Sequence, residues 1–261
     1  MENPNPSNSN EEKPTEQNCR EKPAVLFLHG FGGKPETVDF LLRYLRVKGY
    51  EIYTPILLGH ENNYEAINNF FPEDWLAQTE KMLSGIIEKH GRVYLVGASF
   101  GGNLCLSLAA RYPEKIRGVV TLETPVFFNL WIFLLLKIIQ PILELFGVEK
   151  VSKNSFFYRK NYVADSHSYE YIPVKTSGKI FDFINQRTKK EVKRIVAPLY
   201  ILQAGKSDLI SKKSARFVYD NVLSRIKRVE YLPLDNHDLD LFDEKEKIIT
   251  MEKIHEFLSK I

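Results

Sequence analysis

The chain has 261 residues, of which 44% are hydrophobic and 12% aromatic, so it can bury a large core. Its formal net charge of +3 is small for this length and gives no case for a nucleic-acid partner. The two cysteines, Cys19 in a polar stretch and Cys105 in an apolar one, suggest neither a metal site nor a disulfide, and this usage fits a reducing, cytoplasmic setting.

The first 21 residues are polar and rich in proline. Such a composition cannot bury enough apolar surface to order itself, so we expect residues 1–21 to form a disordered tail. The stretch has no apolar core and is therefore not expected to be a secretory signal peptide. Residues 22–261 are predicted to form the folded domain.

Short apolar runs typical of strands alternate with helical patterns along most of the chain. This alternation predicts an α/β fold, in which a mostly parallel sheet is flanked by helices on both faces. The alternation of strands and helices is interrupted at about 126–192, and we interpret these residues as an inserted helical lid. The strand-like runs are at 24–28, 51–54, 93–97, 118–122, 199–204 and 227–232.

A candidate nucleophile lies between a strand and a helix, where Gly97-Ala98-Ser99-Phe100-Gly101 matches the pattern G-x-S-x-G. A serine on so sharp a turn has a strained backbone, and the residues two positions away must be small. This context favours Ser99 as a nucleophile, and the alternative is a buried serine in a glycine-rich turn.

Acyl transfer needs hydrogen-bond donors for the oxyanion that develops in the transition state. One predicted donor is the backbone N–H of Phe100, directly after the nucleophile. The other is the N–H of Phe31, in the glycine-rich loop that follows the first strand. The glycines of that loop have the alternative explanation of a tight turn.

A serine nucleophile also needs a general base, for which three histidines follow it in the sequence. His237 lies in a turn-rich loop after the last strand, where sites occur in open α/β sheets, and is the predicted base. His255 lies in the terminal helix and His167 in the inserted segment, which makes them weaker candidates.

The base needs an orienting carboxylate, and Asp208 follows the strand at 199–204 in the corresponding position. Its alternative role is to cap the next helix. Three other aspartates compete, but they lie too close in sequence to the base to face its ring readily: Asp235, Asp238 and Asp240. No metal ligand is predicted.

The lid begins with the most apolar stretch of the chain, residues 127–143. Polar residues on one stripe and Pro141 argue against a transmembrane helix, and a second short helix is expected from Pro141 to Gly147. The excess apolar surface predicts an acyl pocket for medium or long chains. Its predicted lining residues are Phe127, Trp131 and Leu134.

Basic residues outnumber acidic ones downstream of this apolar stretch, from 150 to 194. A solvated surface is the ordinary explanation. Beside an apolar lid, such charge can also favour peripheral contact with an anionic membrane surface.

Together these motifs resemble the α/β-hydrolase superfamily over roughly residues 23–261, and within it the carboxylesterase and monoacylglycerol lipase branch. The further marker is Pro55-Ile-Leu-Leu-Gly-His60, after which Glu61 stands where the family usually has a glycine. The resemblance implies the α/β-hydrolase fold and hydrolysis of a small-molecule acyl ester through an acyl-enzyme, with no cofactor.

Other functions share the same three catalytic residues. They include thioesterases, lysophospholipases and hydrolases of carbon–carbon bonds. A non-catalytic ligand-binding homologue is a further alternative, against which the intact Ser-Asp-His set argues. The sequence indicates neither the natural ester nor the oligomeric state.

Overall fold

The computed structural model describes residues 22–61, 64–152, 171–207, 209–232 and 242–261. Several predictions of the sequence analysis lie outside these residues. They concern the tail at 1–21, part of the lid at 153–170, His167, the predicted acid Asp208 with its competitors Asp235, Asp238 and Asp240, and the predicted base His237.

Six strands form one sheet in which every neighbouring pair is parallel, in the order β2-β1-β3-β4-β7-β8. A separate antiparallel pair, β5 and β6, lies between β4 and β7 in the sequence. The predicted α/β architecture is confirmed. The strands are β1 (Ala24–Leu28), β2 (Glu51–Tyr53), β3 (Val93–Ala98), β4 (Ile116–Leu122), β5 (Lys150–Ser152), β6 (Tyr171–Pro173), β7 (Leu199–Ala204) and β8 (Lys227–Leu232).

Helices connect the strands and cover the sheet. Their bounds are α1 (Asp39–Val47), α2 (Tyr64–Ile67), α3 (Pro72–His90), α4 (Phe100–Arg111), α5 (Leu130–Leu134), α6 (Gln140–Leu145), α7 (Val174–Phe183), α8 (Lys189–Glu191), α9 (Lys213–Asn221) and α10 (Glu244–Lys260). The crossover connections through helices are what parallel neighbours require.

The core has two apolar layers, one on each face of the sheet, because successive strand residues point to opposite faces. In β1, Leu26 and Leu28 belong to the layer that also contains side chains of α3, α4 and α9. Val25 and Phe27 belong to the other layer, with side chains of α1 and α10. Both faces are thus buried, as an all-parallel sheet requires.

The segment between β4 and β7 begins with one helical run. A π-helical turn at Leu135–Ile139 joins α5 to α6, and the short helix expected from Pro141 begins at Gln140. A wider turn accommodates the proline, which has no N–H to donate. In the part of the chain that the structure describes, no helix is both long and apolar enough to span a bilayer.

The end of this segment is fixed to the core by a buried carboxylate. Glu191 of α8 is only 7% exposed, and Arg187 Nη1 lies 3.2 Å from its Oε1. Arg111 of α4 and Arg194 lie 3.7 and 3.6 Å from the same oxygen. Burying a charge without partners costs free energy of folding, so the carboxylate of Glu191 favours the position of α8 in which the three arginines surround it.

Candidate active site

The candidate site lies where the strand order of the sheet reverses. β1 has β2 on one side and β3 on the other, so the loops after β1 and β3 leave the sheet in different directions. Ligands of open α/β sheets bind in the crevice that forms at this point, beyond the carboxyl ends of the strands. The glycine-rich loop follows β1, and the predicted nucleophile follows β3.

Ser99 occupies a sharp turn between β3 and α4. Its φ of 49° lies in the left-handed region, which is uncommon for a residue other than glycine. Its N–H donates to the carbonyl of Leu122 (2.7 Å), and its own carbonyl accepts the N–H of Gly102 (3.0 Å). The strained backbone expected of a nucleophile elbow is therefore present.

Small residues surround this turn because neighbouring backbone lies against them. A Cβ at Gly97 would lie 2.5 Å from the carbonyl oxygen of Gly101. A Cβ at Gly101 would overlap the carbonyl oxygen of Leu28, at the end of β1. The glycines of G-x-S-x-G thus permit the close approach of β1, β3 and α4 at the position of the serine.

Residues 30–33 form a tight turn beside Ser99, here called the oxyanion turn after the role predicted for Phe31. The N–H of Gly33 donates to the carbonyl of Gly30 (3.2 Å), and Gly32 has a φ of 69°. A Cβ at Gly30 would lie 2.9 Å from Cβ and 3.5 Å from Oγ of Ser99. Phe31, the predicted oxyanion donor, is the second residue of this turn.

Two buried histidines hold the chain around this turn. Nε2 of His29 accepts the N–H of Leu57 (3.0 Å), while its Nδ1 donates to the carbonyl of Gly30 (2.9 Å). Nε2 of His60 accepts the N–H of Gly32 (3.1 Å), while its Nδ1 donates to the carbonyl of Leu58 (3.2 Å). Both rings therefore fit the neutral form with the hydrogen on Nδ1.

Burial keeps these rings uncharged. It lowers the pKa of His29 to about 3, with a smaller contribution from repulsion by His60. It also lowers the pKa of His60 to about 4, against the opposing effect of the neighbouring carbonyl groups of Leu58 and Leu57. The buried histidines were not identified as site residues from the sequence, although both belong to motifs that carried the resemblance.

The predicted acid and base lie outside the described residues, but both neighbours of position 208 form hydrogen bonds with Asn129. The carbonyl of Ser207 accepts Nδ2–H of Asn129 (3.0 Å), and the carbonyl of Leu209 accepts the N–H of Asn129 (3.1 Å). Asn129 directly precedes α5. The start of the inserted segment thus contacts the loop after β7.

An acidic residue that was not predicted from the sequence lies at the same edge of the sheet, where the strands have their carboxyl ends. Glu123 directly follows β4, is buried, has a φ of 49°, and accepts the backbone N–H of Ala204 at the end of β7. Its signal in the sequence was an acidic residue after a buried strand. Like Asp208, it follows both the nucleophile and the carboxyl end of a strand of the main sheet.

The predicted substrate-binding residues occupy different surroundings. Phe127 packs edge-to-face on Phe217 of α9, with ring centroids 5.4 Å apart. Trp131 and Leu134 of α5 are 42% and 41% exposed. A separate contact links the segment to the site. The ring of Phe183, at the end of α7, packs on the ring of Phe100 with centroids 5.4 Å apart. The N–H of Phe100 is the other predicted oxyanion donor.

Two other groups of polar residues do not include any of the predicted site residues. A cavity of about 680 Å³ lies among charged side chains of α3, α7 and α8 and has the wrong lining for an acyl chain. His255 packs on Tyr50, which directly precedes β2. His255 therefore lies toward the amino ends of the strands, whereas Ser99 follows the carboxyl end of β3. Within the described ranges, no cluster of three metal-ligating side chains occurs.

Comparisons with known proteins agree with this architecture. The sequence model of the family described as serine aminopeptidase, S33, matches residues 20–245. A carboxylesterase of Bacillus subtilis (strain 168) is 25% identical, covering 91% of this chain and 93% of its own. A thermostable monoacylglycerol lipase of Bacillus sp. (strain H-257) is also 25% identical, with 90% of both chains covered. A solved metagenome-derived lipolytic enzyme superposes with a TM-score of 0.79 at 20% identity, over 92% and 95% of the chains.

Proposed function

Since the chain belongs to the serine aminopeptidase S33 family of α/β-hydrolases, we propose that it hydrolyses carboxylic esters through an acyl-enzyme on Ser99. The observation that carries this proposal is the strained turn of Ser99 beside Gly30, at the point where the strand order reverses. The named relatives, a carboxylesterase and a monoacylglycerol lipase, support the same reaction class.

In the proposed mechanism, Oγ of Ser99 attacks the ester carbonyl while His237 takes the hydroxyl proton. The protonated base then gives this proton to the oxygen of the leaving alcohol as the bond from carbon to that oxygen breaks. In the second half, water attacks the acyl carbon while His237 takes its proton. The bond from the acyl carbon to Oγ of Ser99 then breaks, His237 returns the proton to Oγ, and the carboxylic acid leaves. Asp208 orients and stabilises the protonated ring.

The negative charge on the carbonyl oxygen requires donors that are already in place. We assign them to the N–H of Phe100, the first residue of α4, and to the N–H of Phe31 in the oxyanion turn. The first N–H groups of a helix have no partner within the helix, so the Phe100 N–H is suited to this role. The proposed chemistry needs no metal or organic cofactor.

The acyl group that we propose is medium or long. The inserted segment starts at the carboxyl end of β4, the same edge of the sheet that bears Ser99, and it is rich in apolar side chains. Each buried methylene of a substrate contributes about 0.8 kcal/mol, so longer acyl chains should bind better until the pocket is filled. A small neutral alcohol is the proposed leaving group.

Covalent labelling tests the nucleophile. A fluorophosphonate should modify Ser99 of the native protein, and Ser99→Ala should abolish both labelling and esterase activity while the fold persists. Ser84→Ala is the matched control, because Ser84 lies on the exposed surface of α3. Label on another residue, or normal turnover by Ser99→Ala, would contradict the mechanism.

Oxyester, thioester and amide substrates with the same acyl group separate the related reaction classes. We expect kcat/KM to be highest for the oxyester. A preference for the thioester would indicate a thioesterase, and binding without turnover or labelling would indicate a ligand-binding homologue. Both outcomes retain the fold and reject the proposed reaction.

A further inference from the structure

We infer that His60 is a positioning residue whose neutral ring holds the oxyanion turn in its active conformation by accepting the N–H of Gly32. The inference rests on the proposed function and deepens it, because it assigns the support of the oxyanion hole to a residue outside the Ser-Asp-His set.

The hydrogen bonds of His60 determine which nitrogen carries its proton. Nδ1 lies 3.2 Å from the carbonyl oxygen of Leu58, which can only accept, so the hydrogen is on Nδ1. Nε2 then has a lone pair for the N–H of Gly32, 3.1 Å away. The two contacts join the loop after β2 to the turn after β1, across 28 residues of sequence.

Packing fixes the ring in this orientation. His60 is fully buried, and three rings meet it edge-on or nearly so: His29 at 5.1 Å, Trp75 of α3 at 5.2 Å and Phe31 at 6.2 Å between centroids. Nε1–H of Trp75 donates to the same Leu58 carbonyl (2.8 Å). The ring therefore cannot rotate away without disturbing α3 and both loops.

The N–H of Gly32 belongs to the peptide that joins Phe31 to Gly32. A peptide is rigid and planar, so a hydrogen bond to its N–H fixes the plane at the centre of the turn. The Cα of Phe31 lies in this plane, and the preceding peptide, which carries the proposed donor N–H, joins Phe31 to Gly30, where a Cβ would lie 2.9 Å from Cβ of Ser99. Loss of the bond would let the central peptide rotate and displace the proposed donor from the oxyanion.

A neutral ring is essential to this role, because an imidazolium has two donors and cannot accept the Gly32 N–H. Burial favours the neutral ring and lowers the pKa of His60, and the rings packed against it, those of His29, Trp75 and Phe31, are uncharged. The carbonyl groups of Leu58 and Leu57 and the charge of Glu61 raise the pKa, but burial outweighs them.

Two substitutions of His60 separate the acceptor from the volume of the ring. His60→Gln keeps an oxygen close to the position of Nε2, whereas His60→Phe fills the space without an acceptor. We expect His60→Phe to lower kcat on the order of 10²-fold, as does the loss of an oxyanion donor, with little change in KM. His60→Gln should restore most of kcat.

His255→Phe is the matched control. It makes the same change from histidine to phenylalanine at a ring that packs on Tyr44 and Tyr50 and does not contact the oxyanion turn. We expect its kcat to be close to that of the native protein, even if its melting temperature changes. Equal kcat losses in His255→Phe and His60→Phe, or equal losses in the Gln and Phe variants, would overturn the positioning role.

A measurement on the native protein keeps the inference testable if the Phe variant does not fold. Nitrogen-15 spectra of the histidine rings at neutral pH should show His60 with its hydrogen on Nδ1, and a hydrogen on Nε2 would overturn the inference. This readout does not depend on activity. An active Ser99→Ala would instead reject the proposed function and leave the tautomer result to decide the hydrogen bond.

Discussion

At the scale of single residues, the site depends on its glycines, which have no side chain, as much as on the residues predicted to react. Ser99 has a left-handed backbone conformation, and Gly97 and Gly101 leave room for the strands that meet at it. At Gly30, as at those two glycines, φ lies outside the left-handed region, so only space restricts the residue. An alanine there is compatible with the backbone but not with the neighbouring serine.

We predict that Gly30→Ala lowers kcat/KM on the order of 10²-fold, because the new methyl group would displace Ser99 or the oxyanion turn and a misplacement of about 1 Å has this effect. Thermal stability should change little. Ester hydrolysis and a melting curve of the same sample measure the two effects.

Gly85→Ala is the control for this substitution. A Cβ at Gly85 meets no atom within 4 Å, and alanine is favoured over glycine in a helix such as α3 by up to about 1 kcal/mol. This variant should be fully active and slightly more stable. Full activity of Gly30→Ala would show that Gly30 does not restrict the reacting serine.

At the scale of elements, the loops after β1 and β2 are joined through the buried pair His29 and His60. Each ring accepts a backbone N–H only while it is neutral, and the pKa values of about 3 and 4 keep both rings neutral under ordinary conditions. This way of joining two loops makes the fold sensitive to acid.

The sign of this dependence follows from the difference between the folded and unfolded states. In the unfolded chain both histidines titrate near 6.5, so below that pH the unfolded state binds more protons. Stability is therefore complete above about pH 6.5 and falls as the pH decreases toward the folded pKa values. At pH 5 the loss is about 2 kcal/mol for each histidine.

We predict that the unfolding free energy of the native protein falls between pH 7.5 and pH 5 by more than that of His60→Gln. Denaturation in urea at several pH values measures the difference. Glutamine does not titrate, so the variant should lack about half of the acid sensitivity that the pair causes. Parallel losses in the two proteins would contradict a buried neutral His60.

At the scale of the whole molecule, the predicted α/β-hydrolase fold is confirmed by the six parallel strands and by the structural neighbours. The alternation of apolar strands with amphipathic helices carried that prediction because it depends on local sequence. The motif G-x-S-x-G was likewise readable, since strand, turn and helix are adjacent in the chain around Ser99.

Contacts between distant residues could not be read in the same way. The bond between His60 and Gly32 joins two loops, and nothing in either loop alone indicates it. Glu123 approaches Ala204 only because β4 and β7 are neighbours in the sheet, an order that the sequence does not contain. The positions of Asp208 and His237 stay predictions, as do the donor role of Phe31 and the acyl pocket.

The inserted segment presents an unusual apolar surface to solvent. Leu130 at the start of α5 is 72% exposed, and Leu145 and Phe146 at the end of α6 are 82% and 79% exposed. Exposed apolar patches commonly mark a ligand or interaction site. We expect this face to adsorb to the lipid surface that contains a water-insoluble ester.

We predict that the double variant Leu145→Ser, Phe146→Ser hydrolyses emulsified lauroyl esters several-fold more slowly, while a soluble butyryl ester is cleaved at the native rate. The reason is that the variant loses apolar area for adsorption, about 25 cal/mol for each Å² removed from water, without a change near Ser99. Val47→Ser is the matched control, because Val47 is 84% exposed at the end of α1, at the opposite edge of the sheet. It should cleave both esters normally. Equal rates of the double variant and the native protein on the emulsion would mean that the exposed face takes no part in substrate capture.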